Sequence, residues 1–202
     1  MMPVMSGSEM CLKIKSNFAV CHIPVILLTA KVGVEHNMES LKLGADDYIT
    51  KPFNVNLLLA RCNNLVAGRK LLQEKFAQSD EFNPQSVASN EMDKNFLERA
   101  SDVIEENIEN PDFNIDEFSR KMNLSRTGLF NKIKGVTGQT PNEFIINMKM
   151  KKASFLLTNH PEFNITDITY QLGFNSPKYF SKCFKNQFGV TPSEYRQTSR
   201  QE

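Results

Sequence analysis

The feature that most limits how this chain can fold is a pattern of residues that occurs twice in its C-terminal half, about 50 residues apart. In each copy, a short segment with apolar residues at helical spacing leads into a turn, and a second segment runs to a Gly-x-Thr-Pro sequence. At an offset of 50, the matching apolar residues are Ile115 and Ile165, Phe118 and Ile168, Met122 and Leu172, Leu124 and Phe174, and Phe130 and Phe180. The closing segments, 138–144 and 189–195, match only after a shift of one residue. Such a repeat indicates one supersecondary unit used twice.

Each copy has the pattern of two helices around a tight turn, which is a helix-turn-helix. The second helix of such a unit fits the major groove of DNA. Residues from about 96 to 196 include both copies and the segment between them, and they resemble the DNA-binding domain of AraC/XylS-type regulators. In that family a long helix joins two helix-turn-helix units. The resemblance therefore implies an all-α domain that binds double-stranded DNA.

The first copy offers polar side chains for contact with bases. Ser125 is a good N-cap for the second helix of this unit. Leu129, Phe130 and Ile133 fall largely on the inward side, and the resemblance implies that Phe130 also touches the groove. The residues left for the outward face are Arg126, Thr127, Asn131 and Lys134. Asn and Arg read adenine and guanine edges with paired hydrogen bonds, whereas Lys134 is better suited to phosphate.

The second copy is richer in lysine. Asn175 or Ser176 is expected to cap its second helix, and Pro177 takes the first helical position, where no backbone N–H is needed. The expected contacts with DNA are Ser176, Pro177, Lys178, Ser181, Lys182 and Lys185. We expect this face to contribute more to affinity than to sequence discrimination.

Charge is segregated along the chain, although the formal net charge is only +1. Residues 91–117 contain ten acidic and two basic residues, a net charge of −8, whereas residues 118–202 contain thirteen basic and five acidic residues, a net charge of +8. Binding of the basic part to DNA would release counterions from phosphates. The joining helix, expected over about 142–157, adds Lys149, Lys151 and Lys152, which we expect to lie along phosphates.

The N-terminal part alternates strand and helix signals, as in an α/β fold. The apolar run at 25–29 is typical of a strand buried on both faces of a parallel sheet, and residues 47–50 predict a second short strand. A helix is predicted over 34–43, ending at Gly44, and Asn54 is expected to cap a long helix that continues through Phe76. Residues 78–90 are rich in Ser, Asn, Gln and Pro, which predicts a linker.

Three segments of this part resemble the later half of a response-regulator receiver domain. They are Met-Met-Pro at 1–3, Leu-Thr-Ala-Lys at 28–31, and Gly-Ala-Asp-Asp-Tyr-Ile-Thr-Lys-Pro-Phe at 44–53. The resemblance implies that Thr29, Tyr48 and Lys51 occupy the positions of the receiver switch. It also implies that the phosphoacceptor aspartate would precede the Met-Met-Pro motif by two residues, so we expect this chain, as written, to lack it and to accept no phosphoryl group.

Asp46 and Asp47 are poor substitutes for that acceptor. They sit at the N-terminal end of their strand, whereas ligands of open parallel sheets gather at the opposite, carboxyl ends of the strands. Four strand residues would place them about 13 Å from Lys51. We expect them to cap the preceding helix and turn.

The sequence thus predicts an α/β remnant of a doubly wound receiver domain followed by an all-α domain with two helix-turn-helix units. The expected boundaries are 1–77 for the receiver part, 78–91 for the linker and 92–202 for the DNA-binding domain. The predicted function is that of a sequence-specific DNA-binding transcription regulator of the two-component or phosphorelay type. The alternative is a protein-interaction or dimerisation module from a truncated hybrid sensor kinase. Besides double-stranded DNA, the expected partners are a second copy bound through the receiver surface, RNA polymerase and, if the full-length protein is longer, a histidine kinase.

No enzyme activity, cofactor or metal site is expected. His22, His36 and His160 have no nucleophile or metal partner at a usable spacing. The four cysteines form no Cys-x-x-Cys pair and are expected to be thiols in a reducing compartment. The chain has neither a run of 18 apolar residues nor the pattern of a secretory signal, so we expect a cytoplasmic protein.

Overall fold

The computed structural model describes residues 5–30 and 44–198. Its N-terminal part consists of helix α1 (Gly7–Ser16), strand β1 (Ile26–Thr29), strand β2 (Asp47–Thr50) and the long helix α2 (Val55–Gln78). The two strands pair in parallel, with Thr29 opposite Thr50. The helix predicted over 34–43 and the Met-Met-Pro motif lie outside the described residues. Both predicted strands and the long helix are present.

Polar side chains define where the helices of this part begin. Ser6 and Glu9 form a capping box at α1, each side chain accepting a hydrogen bond from the other residue's backbone N–H. Asn54 caps α2 as predicted, because its Oδ1 accepts from the N–H of Asn56 at 2.8 Å. The Asn54 cap fixes the start of α2 close to the end of β2, and residues of α2 line a groove together with β1.

The small sheet leaves one apolar side uncovered. Leu28 of β1 is 41% exposed, so the expectation that this strand is buried on both faces is wrong for the described residues. The physical reason is that β1 has one neighbouring strand here, and nothing described covers the groove between β1 and α2. The groove is lined by Ile23, Pro24, Ile26, Leu28, Leu58, Cys62, Leu65 and Val66.

The C-terminal part is helical throughout its described residues, which confirms the predicted fold class. Its helices are α3 (Glu91–Glu105), α4 (Ile115–Lys121), α5 (Arg126–Thr137), α6 (Pro141–Asn159), α7 (Ile165–Gln171), α8 (Pro177–Phe188) and α9 (Pro192–Thr198). Helices α4 and α5 form the first helix-turn-helix, and α7 and α8 form the second. Helix α6 is the predicted joining helix, two residues longer at its C-terminal end than expected.

Each helix-turn-helix has its own core, and α6 contributes to both. Its first half packs Phe144 and Met148 against α3, α4 and α5, and its second half packs Met150 and Leu157 against Phe180 and its neighbours in α7 and α8. The positions predicted to be core in α6 are all buried: Ile145, Met148, Ala153, Leu156 and Leu157. A helix that is buried by two units in succession fixes the orientation of one unit relative to the other.

The segment predicted as a linker packs against the C-terminal part. Phe76, near the end of α2, and Val87, which follows a short 3-10 turn (Pro84–Ser86), are both buried in the core of the first unit. Phe82 packs edge-on against Phe76, with 6.0 Å between ring centroids. The end of α2 and the C-terminal part therefore share one core.

Candidate nucleic-acid interface

Helix α5 presents the predicted polar residues on one outward face. Ser125 caps it by accepting from the N–H of Gly128 at 3.0 Å, and Gly138 ends it with φ +75, a left-handed conformation that favours glycine. The residues that face the core are Leu129, Ile133 and Val136, which are fully buried. The predicted contact residues are all exposed: Arg126, Thr127, Asn131 and Lys134.

Phe130 lies on the outward face of α5, where it is 43% exposed. Its alignment with Phe180 is therefore wrong, since Phe180 is fully buried. The caps Ser125 and Ser176 are 51 residues apart, and so are the terminal glycines Gly138 and Gly189. One extra residue in the turn before α8 shifts the register, so Leu129 is equivalent to Phe180 and Phe130 to Ser181.

Helix α8 has the same length and the same capping residues as α5 but different side chains on its outward face. Ser176, not Asn175, is its N-cap, and Pro177 takes the first helical position as predicted. Lys178, Lys182 and Lys185 are exposed, and Pro177 and Ser181 are half-buried. With the offset of 51, Lys178, Lys182 and Lys185 occupy the positions of Thr127, Asn131 and Lys134. The structure thus brings the predicted residues of each copy together on equivalent faces.

Arg126 at the start of α5 has a partner within the protein. Its Nη1 lies 3.3 Å from Oδ1 of Asp116 in α4, and both side chains are about two-thirds exposed. An exposed pair of this kind contributes roughly 0–1 kcal/mol, so it can release the guanidinium to a stronger acceptor.

The joining helix does not present its lysines as predicted. Lys149 and Lys151 are buried, so the expectation that they lie along phosphates on the protein surface is wrong. The reason is that α6 is packed on several sides, which leaves few of its positions in water. Lys152 is exposed, but it lines a groove with Asp80, Glu81 and Glu105. It therefore shares this groove with three acidic residues.

Lys132 of α5 is a buried residue that sequence reasoning missed. Its side chain is 1% exposed, and its Nζ lies 2.6 Å from Oδ1 of the equally buried Asp93 at the start of α3. The same Nζ donates to the carbonyl of Phe18 at 2.6 Å and to Cys21 Sγ at 3.1 Å, both in the receiver part. The spacing of Lys132 from Leu129 and Val136 places it among the inward-facing positions of α5. This spacing is the sequence signal that could have predicted its burial. Lys132, although it belongs to α5, therefore binds residues of the receiver part.

Two residues of α2 bind the C-terminal end of α5. Arg69 Nη2 donates to the carbonyls of Gly135 and Val136 at 3.4 and 3.3 Å, and Gln73 Nε2 donates to the same two carbonyls at 3.1 and 3.3 Å. Burial lowers the pKa of the Arg69 guanidinium. Positive charge and donors at this point satisfy the free carbonyls of a helix end. The receiver part therefore holds α5 from behind and leaves its outward face free.

His22 explains why residue 135 is a glycine. A Cβ at that position would lie 2.1 Å from His22 Nε2, so a larger residue would displace the imidazole. Burial, together with Lys132, lowers the pKa of His22, so its neutral form is favoured.

Two of the three candidate switch residues, Thr29 and Lys51, lie at the same edge of the sheet. Thr29 ends β1, Lys51 follows β2, and the Lys51 N–H donates to the Thr29 carbonyl at 2.7 Å. Tyr48 lies within β2 and is half-buried. The structure brings the ends of the strands together as the resemblance implied.

Asp46 and Asp47 form ion pairs with neighbouring basic side chains. Asp46 Oδ2 lies 2.6 Å from Lys15 Nζ and accepts from the Val25 N–H at 2.8 Å, and Asp47 Oδ1 lies 2.5 Å from Arg61 Nη1. The helix that they were expected to cap is outside the described residues. Their carboxylates tie α1, β1 and α2 to the start of β2.

The described residues contain neither a candidate metal site nor a candidate membrane-spanning helix. Across residues 5–30 and 44–198, no group of three or more His, Cys, Asp or Glu side chains could hold a metal ion. No helix in those ranges has the length and apolar character needed to span a membrane.

Comparison with known proteins gives two domain families. Residues 118–198 match the family described as a helix-turn-helix domain, and residues 1–63 match the response regulator receiver domain. A protein of Formosa agariphila named Histidine kinase P4 is 44% identical over 195 residues, which is 96% of this chain and 14% of that protein. The Msm operon regulatory protein of Streptococcus mutans is 37% identical over 82 residues, 41% of this chain and 29% of that protein. The chain thus spans only a small share of either relative.

A solved structure resembles the C-terminal part. It is an AraC-type transcriptional regulator from Chromobacterium violaceum, with a TM-score of 0.50 and 28% identity, and the match covers 55% of this chain and 98% of that one. The match agrees with the helical architecture of α3 to α9.

Proposed function

Since the chain joins part of a response-regulator receiver domain to an AraC-type helix-turn-helix DNA-binding domain, we propose that it is a DNA-binding transcription regulator of a two-component system. The observation that carries this proposal is the equivalence of the two outward faces. Helices α5 and α8 have the same length and the same caps, and each presents polar or cationic side chains at matching positions. Two such helices joined by α6 suit two contacts with one duplex.

The two helices have different roles in this proposal. Asn131 and Arg126 read base edges, Thr127 and Phe130 contact the groove, and Lys134 binds phosphate. In α8 the lysines at 178, 182 and 185 bind phosphates, and Ser176, Pro177 and Ser181 allow close approach to the duplex. The acidic neighbours of Lys152 weaken its attraction to phosphate, so its contribution is the smallest of the set.

The receiver part supplies regulation in this proposal. Thr29, Tyr48 and Lys51 are the candidate switch residues, and a histidine kinase is the proposed source of the signal if the full-length protein is longer and contains the phosphoacceptor aspartate. Contact with RNA polymerase and a location with DNA in the cytoplasm belong to the same proposal. The kinase activity in the name of the Formosa relative is that of a protein about seven times longer, and the segment shared with it includes the DNA-binding part.

Dimerisation is a second candidate function, favoured by the uncovered apolar groove between β1 and α2. A second copy or the remainder of a receiver fold would remove this surface from water. Sedimentation velocity over a range of concentrations tests it. A monomer at every concentration would contradict a dimer built by this chain alone.

The main test is selection of duplexes from a random library by the chain, followed by titration of a selected duplex. We expect a recovered consensus and an affinity that falls steeply with salt, by a slope of about −0.9 in log K against log salt for each phosphate neutralised. Recovery of no consensus, together with a flat salt dependence between 50 and 200 mM, would contradict the proposal and favour an interaction module.

A further inference from the structure

A cavity of about 560 Å³ lies between the joining helix α6 and the second recognition helix α8. Sites that hold small molecules have volumes of roughly 300–1,000 Å³, so this cavity has a suitable size. Asn147 of α6 and Gln187 of α8 both line it, and the side-chain nitrogen of each donates to the carbonyl of Ala77, near the end of α2. The cavity therefore lies where α2, α6 and α8 meet.

The side chain of Asn147 has an oxygen that the protein leaves without a partner. Asn147 is 2% exposed, its Nδ2 lies 2.8 Å from the Ala77 carbonyl oxygen, and among the residues that the structure describes no group donates to its Oδ1. The bond to a carbonyl fixes which end of the amide is the nitrogen, so Oδ1 is an acceptor.

A second acceptor on the same side of the cavity is also unpaired. Gln139, in the turn before α6, lines the cavity, and its buried Oε1 has no donor within the described part of the chain. A buried polar atom without a partner costs about 1–3 kcal/mol. Two such acceptors at one cavity favour a ligand that carries hydrogen-bond donors.

The two walls of the cavity differ in charge. The α6 wall, which includes the turn before α6, adds the carboxylate of Glu143, and a hydrogen bond from the Thr140 N–H lowers the pKa of Glu143, so this group is charged. The α8 wall has the ammonium group of Lys182 and the amide of Asn186. Acceptors with a negative charge on one wall and a cation with further donors on the other match a small zwitterion.

We propose that this cavity, which we call the α6–α8 cavity, binds a free α-amino acid. The three N–H donors of its ammonium group match the acceptors at Gln139, Glu143 and Asn147. Its carboxylate binds Lys182 on the other wall, and its side chain packs against Ile146. A polyol would make no use of the opposed charges, and a polyamine would be repelled by the lysine. The proposal goes beyond the proposed function, because nothing in it requires DNA.

The test measures binding of the standard amino acids to the full chain in the absence of DNA. We expect one amino acid, or a few of similar size, to raise the melting temperature further as its concentration increases, because it binds the folded state. The N-acetyl derivative lacks the ammonium charge and the methyl ester lacks the carboxylate charge, so neither should raise it.

A matched pair of variants places the ligand in the cavity. Glu143→Gln removes the charge and keeps a side chain that suits the capping box, and it should weaken binding by about tenfold or more, the effect of one hydrogen bond to a charged group. Glu194→Gln is the control, because Glu194 makes the same two hydrogen bonds with Thr191 at the start of α9 and does not line the cavity. It should bind the amino acid as the wild type does.

The thiol of Cys183 gives an independent readout in the wild type. Cys183 is half-buried and lines the α6–α8 cavity, whereas Cys62 is half-buried and lines the groove between β1 and α2. The bound amino acid should slow alkylation of Cys183 by iodoacetamide and leave the rate at Cys62 unchanged, as measured by mass spectrometry of peptides.

Three results would overturn the proposal. The first is that no amino acid raises the melting temperature or protects Cys183, which would assign the Asn147 oxygen to water. The second is that an N-acetyl derivative binds as well as the free amino acid. The third is that Glu143→Gln and Glu194→Gln bind equally, or that both cysteines are protected alike. None of these results bears on the proposed function, because the assays contain no DNA.

Discussion

The two recognition helices have the same frame but are held in different ways. Both have 12 residues, a serine at the N-cap and a left-handed glycine at the C-cap. Helix α5 is tied to the receiver part by Lys132, Arg69 and Gln73. Helix α8 is bonded to that part through Gln187 Nε2, which donates to the Ala77 carbonyl. The helix that carries the proposed base-reading side chains is thus the one with more bonds to the receiver part.

This difference indicates where a signal would act. The outward face of α5 stays exposed, so the receiver part does not block DNA by covering it. A change in the receiver part would instead move α5 or change its mobility through the bonds at its back. Helix α8, with its lysine-rich face, would keep its general affinity for the duplex.

The largest expected effect is the loss of the Lys132 contact. Lys132→Met leaves Asp93 buried without a cation and should lower the free energy of unfolding by about 3–5 kcal/mol in urea denaturation. The equivalent position in α8 is Cys183, which is half-buried, and Cys183→Ala should cost about 1 kcal/mol or less. The double variant Lys132→Met with Asp93→Asn should recover part of the loss, because the unpaired charge is gone. Equal costs at 132 and 183 would remove the asymmetry between the two helices.

A smaller effect is expected at the other end of α5. Gln73→Ala removes one of the two donors to the carbonyls of Gly135 and Val136, the other being Arg69, and should cost about 1–2 kcal/mol of unfolding free energy. Hydrogen exchange should increase in the last turn of α5 and stay unchanged in α8. Glu74→Ala is the matched control, since Glu74 is exposed and its ion pair with Lys70 is long, at 3.7 Å. Increased exchange in both helices alike would show that α2 supports the domain without preference for α5.

The smallest expected effect concerns pH and the joining helix. Burial lowers the pKa of Lys151 to about 8 in the folded protein, below the value of about 10.4 in the unfolded chain. Between these values the unfolded chain binds more protons, so stability should rise with pH, by on the order of 1 kcal/mol from pH 8 to pH 10. Urea midpoints measured across this range should show the rise for the wild type. The same slope in Lys151→Met would assign it to other groups.

Much of the fold could be predicted from the sequence because its signals are local. Asn54, Ser125 and Ser176 mark where helices begin, and the terminal glycines mark where helices end. Each of these signals depends on residues only a few positions away in the sequence. The burial of Lys132 could not be predicted in the same way. Its acceptors Asp93 and Phe18 are 39 and 114 residues away, so its environment depends on tertiary packing.

The predicted register of α8 and the predicted exposure of Lys149 and Lys151 in α6 were wrong for a similar reason. Local sequence patterns do not show how a helix packs against the rest of the protein. A constant offset of 50 fitted the first helix of each unit but failed at the turn, where a single extra residue before Ser176 changes which side of α8 is buried. Capping residues locate the true register, because the Ser125 and Ser176 side chains accept from backbone N–H groups at the start of each helix, whichever face of the helix is buried. The lysines of α6 looked solvent-exposed because the sequence does not show that two units bury this helix from different sides.

The most direct test of this account is the specificity ratio, the Kd for random duplex divided by the Kd for a selected duplex. It should be measured at one salt concentration for the wild type, Asn131→Ala and Lys182→Ala, which change equivalent positions of α5 and α8. Loss of a paired base contact by Asn131→Ala should cost about 1–3 kcal/mol on the selected duplex and little on random DNA, so the ratio falls. Lys182→Ala should weaken both by similar factors and leave the ratio near the wild-type value. An unchanged ratio for Asn131→Ala, or a larger fall for Lys182→Ala, would contradict the assignment of sequence reading to α5.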